Sequence, residues 1–153
     1  GRFFLDASGY TVKLDPKGAG GGTSFDLRQA DVRVSYAFVP SIAIELGGGR
    51  RSVKPAFSTQ DVGLVRLGVL SQIPLNRVSS VWARGAYLVR SRFNGGGSAD
   101  LAVELGLGVG VGTPNGRFRG RTDFEFQRID RKVAGAAVPL QMAVGRIGVE
   151  VGF

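Results

Sequence analysis

Residues 101–111 read LAVELGLGVGV, and every second residue of this stretch is Leu or Val. Successive side chains of a β-strand point to opposite faces, so this alternation predicts a strand with one apolar face. The intervening positions hold Ala102, Glu104 and glycines, which would share the other face. An α-helix would repeat its apolar positions about every 3.6 residues instead. The stretch therefore predicts a long β-strand and not a helix.

The same alternation recurs along the whole chain. It is found in residues 3–10, 29–36, 42–47, 64–70, 80–89, 101–111, 118–127 and 142–153. Short turns are expected near 39–41, 73–78 and 113–117, and longer loops near 15–23, 49–60, 91–99 and 128–139. Short turns at one end, long loops at the other and an even number of strands are typical of outer-membrane barrels. The sequence predicts an all-β fold with one domain, residues 1–153: a closed, antiparallel, eight-stranded up-and-down transmembrane β-barrel.

Composition narrows the possible chemistry. The 153 residues include no cysteine and no histidine, and the net charge is +8. Disulfides and thiolate catalysis are therefore excluded, and the commonest general base and metal ligand is missing. We expect a non-catalytic protein with no metal and no cofactor. No run of apolar residues is long enough for a transmembrane helix. Residues 1–4 run straight into the extended pattern, so an exported protein would be represented by its mature form.

Charged residues concentrate on one face of the predicted strands. Seven acids and six bases fall on this face, a sum of −1, while the rest of the chain sums to +9. A nearly neutral set of charges suits a closed interior, because unpaired buried charges are costly. The predicted interior charge network consists of Asp31, Arg33, Glu45, Arg66, Arg84, Glu104, Arg119, Arg121, Asp123, Glu125, Arg146 and Glu150. Such side chains should plug the barrel.

The opposite face is almost free of charge and would contact lipid. Aromatic residues near the short turns, among them Phe3, Tyr36 and Phe118, are expected to form an interfacial girdle.

The last nine residues, GRIGVEVGF, alternate and end on an aromatic residue. With the segment YAFVPSIAIELG at residues 36–47, they make the chain resemble the OmpA/OmpX-type family of small outer-membrane barrels. The resemblance implies a location in the bacterial outer membrane and recognition by the barrel-assembly machinery, with Val149, Val151 and Phe153 as the assembly signal. No catalytic residue follows from it.

Surplus positive charge lies near the predicted long loops. Arginine can bind lipid phosphates through paired, charge-assisted hydrogen bonds. We therefore expect a basic extracellular rim that faces lipopolysaccharide. Its predicted residues are Arg50, Arg51, Lys54, Arg92, Arg128, Arg131 and Lys132.

A soluble, lipocalin-like carrier of a small ligand and a narrow outer-membrane pore remain alternatives. Asp123 and Glu125 share one face and could do acid–base chemistry, but nearby arginines favour an ion network. The basic stretch 117–121 alternates with acidic and aromatic neighbours, so a strand is favoured over nucleic-acid binding. The expected role is structural or surface-interacting, with lipid, lipopolysaccharide and an unspecified protein as partners.

Overall fold

The computed structural model describes residues 2–14, 24–54, 61–93, 98–112, 118–133 and 135–151. These residues form eight β-strands. Their bounds are β1 Arg2–Leu14, β2 Phe25–Val39, β3 Ile42–Lys54, β4 Val62–Pro74, β5 Ser79–Phe93, β6 Ser98–Val111, β7 Phe118–Val133 and β8 Ala136–Val151. The described residues contain no helix long and apolar enough to cross a membrane.

All eight strands belong to one sheet in which each strand pairs with its neighbours in sequence. Every pairing from β1–β2 to β7–β8 is antiparallel. The all-β class and the antiparallel order of eight strands are confirmed. Among the described residues, no ladder of backbone hydrogen bonds joins β1 to β8.

The strands extend well into segments that were expected to be loops. The β3 strand continues through Arg50 and Arg51 to Lys54, because its residues keep pairing with β2 as far as Asp26. The predicted loop at 128–139 is wrong: β7 runs to Val133 and β8 begins at Ala136. Gly135 has a φ of 84°, the left-handed conformation that a tight hairpin needs. Pro139 lies in β8 opposite Asp130 of β7.

The two short turns within the described residues lie where the sequence predicted them. Pro40 and Ser41 connect β2 to β3. The β4–β5 turn is closed by Asn76, whose Oδ1 accepts hydrogen bonds from the backbone N–H groups of Val78 (2.8 Å) and Ser79 (2.9 Å). The third expected turn, 113–117, lies outside the described residues.

The sheet is strongly curled, so that strands distant in its order meet through side chains on the concave face. Arg51 of β3 hydrogen bonds to Gln127 of β7, and Tyr10 of β1 lies 3.3 Å from the Met142 sulfur of β8. Burial alternates along the strands, as in β2, where every second residue from Leu27 to Ser35 is buried. A bulge in β5, opposite Arg66, reverses this alternation near its end and turns the Phe93 side chain inward. The concave face is thus the core of the molecule.

Candidate functional site

The most distinctive feature of the concave face is an ion network around Arg33. The Arg33 Nη2 atom lies 3.0 Å from Glu104 Oε1 and 2.9 Å from Glu125 Oε2. Its other nitrogens lie 3.7 Å from Asp6 Oδ1 and 3.9 Å from Glu45 Oε1. Arg33 is only 1% exposed. A buried guanidinium is tolerated only with acceptors in good geometry, and this arginine has two hydrogen-bonded carboxylates, from β6 and β7, and two more distant ones, from β1 and β3.

Three further arginines extend the network across the sheet. Their shortest ion-pair distances are Arg66–Asp31 2.7 Å, Arg84–Glu45 2.9 Å, Arg146–Asp123 2.7 Å and Arg146–Glu125 2.7 Å. Arg146 thus binds both carboxylates that could have formed an acid–base pair. Each carboxylate is held as an acceptor by arginine.

A tryptophan fills the concave face near the short turns. The ring centre of Trp82 lies 4.5 Å from the Arg121 guanidinium and 5.2 Å from that of Arg84, within the range of cation–π attraction. The ring lies flat against Gly106 and Gly108, and a Cβ added to Gly108 would meet it at 2.4 Å. The alternating glycines of β6 therefore make room for the tryptophan.

An apolar layer lies on the same face towards the ends of β5 and β7. It was not predicted, because the sequence was interpreted as placing charged and small residues inside. Val62 and Ile129 are fully buried in it. The other members are Leu64, Leu88, Phe93 and Ala102, with Ala99 and Leu140 packed against them. The interior thus has an ionic layer covered at one end by an apolar one.

Two residues assigned to the basic rim lie inside instead. Arg51 and Arg131 are 1% and 2% exposed, so the prediction that they face lipopolysaccharide is wrong. Each sits at an odd position that continues the inward alternation of its strand, which was mistaken for a loop. Arg51 Nε donates to Gln29 Oε1 at 3.0 Å, and the Arg131 guanidinium lies 4.3 Å from the Phe93 ring centre.

The other predicted interior residues are less deeply placed or lie beyond the description. Arg121 is half-buried and pairs with Asp6 at 3.3 Å and with Asp123 at 3.5 Å. Arg119 donates a 2.7 Å hydrogen bond to Ser80. The side chains of Glu150 and Val151, and all of Phe153, lie outside the described residues, whereas Val149 is exposed on β8.

The remaining rim residues are exposed on the convex face, near the ends of β3, β5 and β7. They are Arg50, Lys54, Arg92, Arg128 and Lys132. Arg128 Nε donates a 2.8 Å hydrogen bond to Asp130 Oδ1, and this hydrogen bond raises the pKa of Arg128. Lys13, Arg28 and Arg90 are also exposed at this end. This convex basic end is a band of cations carried by strands and not only by loops.

Within the described ranges, no cluster of acidic side chains could hold a metal ion. No family model, curated protein or solved structure matches this chain. The resemblance to OmpA/OmpX-type barrels therefore stays a prediction from the sequence pattern. The ion network and the apolar layer fill the concave face, and the convex face carries an apolar and a basic band.

Proposed function

We propose that the chain closes into an eight-stranded barrel that spans the bacterial outer membrane and has a structural or surface-interaction role without catalysis. One observation carries this proposal. Charged side chains are buried on the concave face, while the convex face is apolar and exposed across all eight strands. A water-soluble protein has the opposite arrangement, because a large exposed apolar surface favours aggregation.

The height of the convex apolar band is close to that of the apolar band of known outer-membrane barrels. On β2 it runs from Ala30 to Phe38 without a charged side chain on this face. At about 3.4 Å per residue and a tilt of about 40°, this segment spans about 23 Å along the membrane normal. The outward-facing band of known outer-membrane barrels is about 25 Å tall. Its large exposed members include Leu5, Val32, Val34, Ile44, Leu46, Leu67, Val69, Tyr87, Val89, Leu105, Leu107, Phe124, Ile147 and Val149.

Closure of the barrel is supported by the approach of the two outer strands. A cavity of about 430 Å³ lies between them, lined by residues 5–9 of β1 and 146–149 of β8. The Tyr10–Met142 contact bridges the strands on the concave side. Unpaired backbone groups are costly in lipid, so a bilayer would favour hydrogen bonding between these strands. We propose a register in which Tyr10 faces Met142 and Ala7 faces Gly145.

A pair of cysteines tests this closure. In the double variant Ala7→Cys/Gly145→Cys, both thiols would project outward from paired positions, and oxidation should form a disulfide in the folded protein. The matched control, Ala7→Cys/Ala137→Cys, shares one site but places the other far along β8. Efficient cross-linking of the control, or none of the test pair, would contradict the proposed register.

Dependence on detergent tests the membrane proposal itself. The purified chain should need detergent or lipid to remain monomeric, and it should migrate differently on a gel before and after boiling. A chain that is soluble and monomeric without detergent would favour the soluble-carrier alternative.

Conductance measurements in planar bilayers test the narrow-pore alternative. We expect no ion current, because the ionic and apolar layers fill the interior. Steady conductance would favour the narrow pore.

The location implies further partners. The barrel-assembly machinery would insert the chain, and the convex basic end would lie among the phosphates of lipopolysaccharide. Differential labelling of intact cells and isolated outer membranes at Lys54 and Lys132 would test this orientation. Labelling only after the cells are opened would place the basic end on the periplasmic side.

A further inference from the structure

The convex face has a depression where its apolar band meets the basic end. The depression has a volume of about 590 Å³ and spans β1, β2 and β3. Gly9 and Ala30 are direct partners in the β1–β2 register and form its floor. Because neither residue has a side chain beyond Cβ, the surface is lower here than over the bulky residues of the band.

Polar donors border the depression on the side away from the band. Thr11, Arg28 and Ser52 form one row across the three strands, and Ala30 pairs with Arg50 in the adjacent row. Arg28 and Arg50 are therefore diagonal neighbours, with backbones about 7–8 Å apart. Two flexible guanidiniums at this separation can converge on one anion, with a hydroxyl group on either side.

Both guanidiniums are available to a ligand. Within the described part of the chain, Arg28 has no carboxylate within ion-pairing distance. Arg50 has an exposed side chain, and its nearest carboxylate oxygen, from Asp61, lies 3.9 Å away. In contrast, Arg128 on β7 is already hydrogen bonded to Asp130. Arg28 and Arg50 are thus less neutralised than Arg128: Arg28 has no ion pair among the described residues, and Arg50 has only the long 3.9 Å contact with Asp61.

The opposite border of the depression is apolar. Ala7 and Val32 pair with each other in the row next to Gly9 and Ala30, and Val32 pairs with Gly48. A ligand that fits the whole depression therefore needs an anionic group at one end and a hydrocarbon chain at the other. A free anion would leave the apolar border unused.

We propose that this depression binds the phosphomonoester headgroup of a membrane lipid. Arg28 and Arg50 would bind the phosphate oxygens, Thr11 and Ser52 would donate hydrogen bonds, and an acyl chain would lie over Gly9 and Ala30 towards Val32. The inference rests on the proposed membrane location and adds to it a defined lipid site with named residues. Charge-assisted hydrogen bonds from arginine are suited to phosphate because they can be paired.

Binding of defined lipids to the full chain in detergent micelles tests the site. The probes are diphosphoryl lipid A, its dephosphorylated form and inorganic phosphate, with the bound fraction measured by native mass spectrometry. The double variant Arg28→Gln/Arg50→Gln should weaken binding of the phosphorylated lipid by at least about tenfold. The control Arg2→Gln/Arg77→Gln removes the same charge from exposed residues elsewhere and should bind as the unaltered chain does.

A third variant separates a lipid from a free anion. Ala30→Leu fills the floor but keeps every charge, so it should weaken lipid binding without affecting inorganic phosphate. Equal binding of both lipids, or equal loss in the control, would overturn the proposal. Binding of inorganic phosphate as tight as that of the lipid would instead indicate a plain anion site.

Failure of this proposal can be distinguished from failure of the proposed function. Each variant is first checked for the mobility shift on boiling that reports a folded barrel. A chain that shows the shift but does not discriminate between the lipids is a membrane barrel without this site. A chain that never shows the shift, and needs no detergent, contradicts the membrane location.

Discussion

Arg33 and Glu125 are joined at 2.9 Å although they belong to β2 and β7, which are not neighbours in the sheet. The contact can form only because the sheet curls, so its presence is direct evidence of the curvature. Both side chains are buried, and each has further partners of opposite charge. The network therefore joins opposite parts of the concave face.

Removal of the central arginine should destabilise the fold strongly. Arg33→Met leaves Glu104 and Glu125 with one fewer buried partner, and we expect a loss of about 3–5 kcal/mol in the free energy of unfolding. Urea titration in detergent micelles would measure it. The control Arg28→Met changes the same residue type on the same strand but on the exposed face, and it should alter stability by no more than about 0.5 kcal/mol. Equal effects would mean that the network contributes nothing specific.

Crowding at Trp82 gives a second prediction. Gly108→Ala would place a Cβ 2.4 Å from the tryptophan ring, so we expect a loss of about 1–3 kcal/mol from overpacking. Gly145→Ala is the control because nothing lies within 4 Å of its added Cβ. Combining Gly108→Ala with Trp82→Leu should recover part of the loss. No recovery would show that the ring is not the cause.

A charge in the convex band tests the lipid contact. Leu107 is 63% exposed, and Leu107→Arg would be harmless in water but should cost about 2–4 kcal/mol in a bilayer. The measurement is the stability of the chain refolded into lipid vesicles. Gln141→Arg, on the exposed face level with Arg128, should be nearly neutral. Equal stability of the two variants would place Leu107 outside the membrane.

The terminal aromatic residue gives a fourth prediction. If Phe153 is part of an assembly signal, Phe153→Ala should lower the fraction of chain inserted in cells more than it lowers the stability of the refolded protein, because such a signal acts during insertion. Gel mobility before and after boiling would quantify both. Phe118→Ala removes another aromatic residue at the short-turn end and serves as the control. Unimpaired insertion would remove the argument for an assembly signal.

Alternation predicted the strands and most of their faces because it is a local property. Leu105 and Leu107 are exposed while Glu104 is buried, as the period of two requires. Strand ends were missed where a high density of charged residues was interpreted as a loop although pairing continues, as in the segment from Arg128 to Val133. Gly135, with its φ of 84°, lies in the connection from β7 to β8.

The inner apolar layer was beyond local reasoning, whereas the burial of Arg51 and Arg131 was missed because the strand ends that carry them were interpreted as loops. Phe93 faces inward only because a bulge adds one residue to β5. The alternation of the sequence does not show where such a residue is inserted. The Arg131 guanidinium contacts the Phe93 ring across the curved sheet. Such contacts depend on curvature, which follows from the whole set of strands and not from any one of them.

The strand order also constrains how the molecule can assemble. Each strand pairs with its neighbour in sequence, so each step of growth closes a short loop and adds one hairpin. Contacts such as Tyr10–Met142 instead bring together distant parts of the chain, and their closure entropy cannot be offset until the intervening strands are in place. We therefore expect the contacts between β1 and β8 to form late and slowly in folding, at a rate that the speed of hairpin growth does not determine.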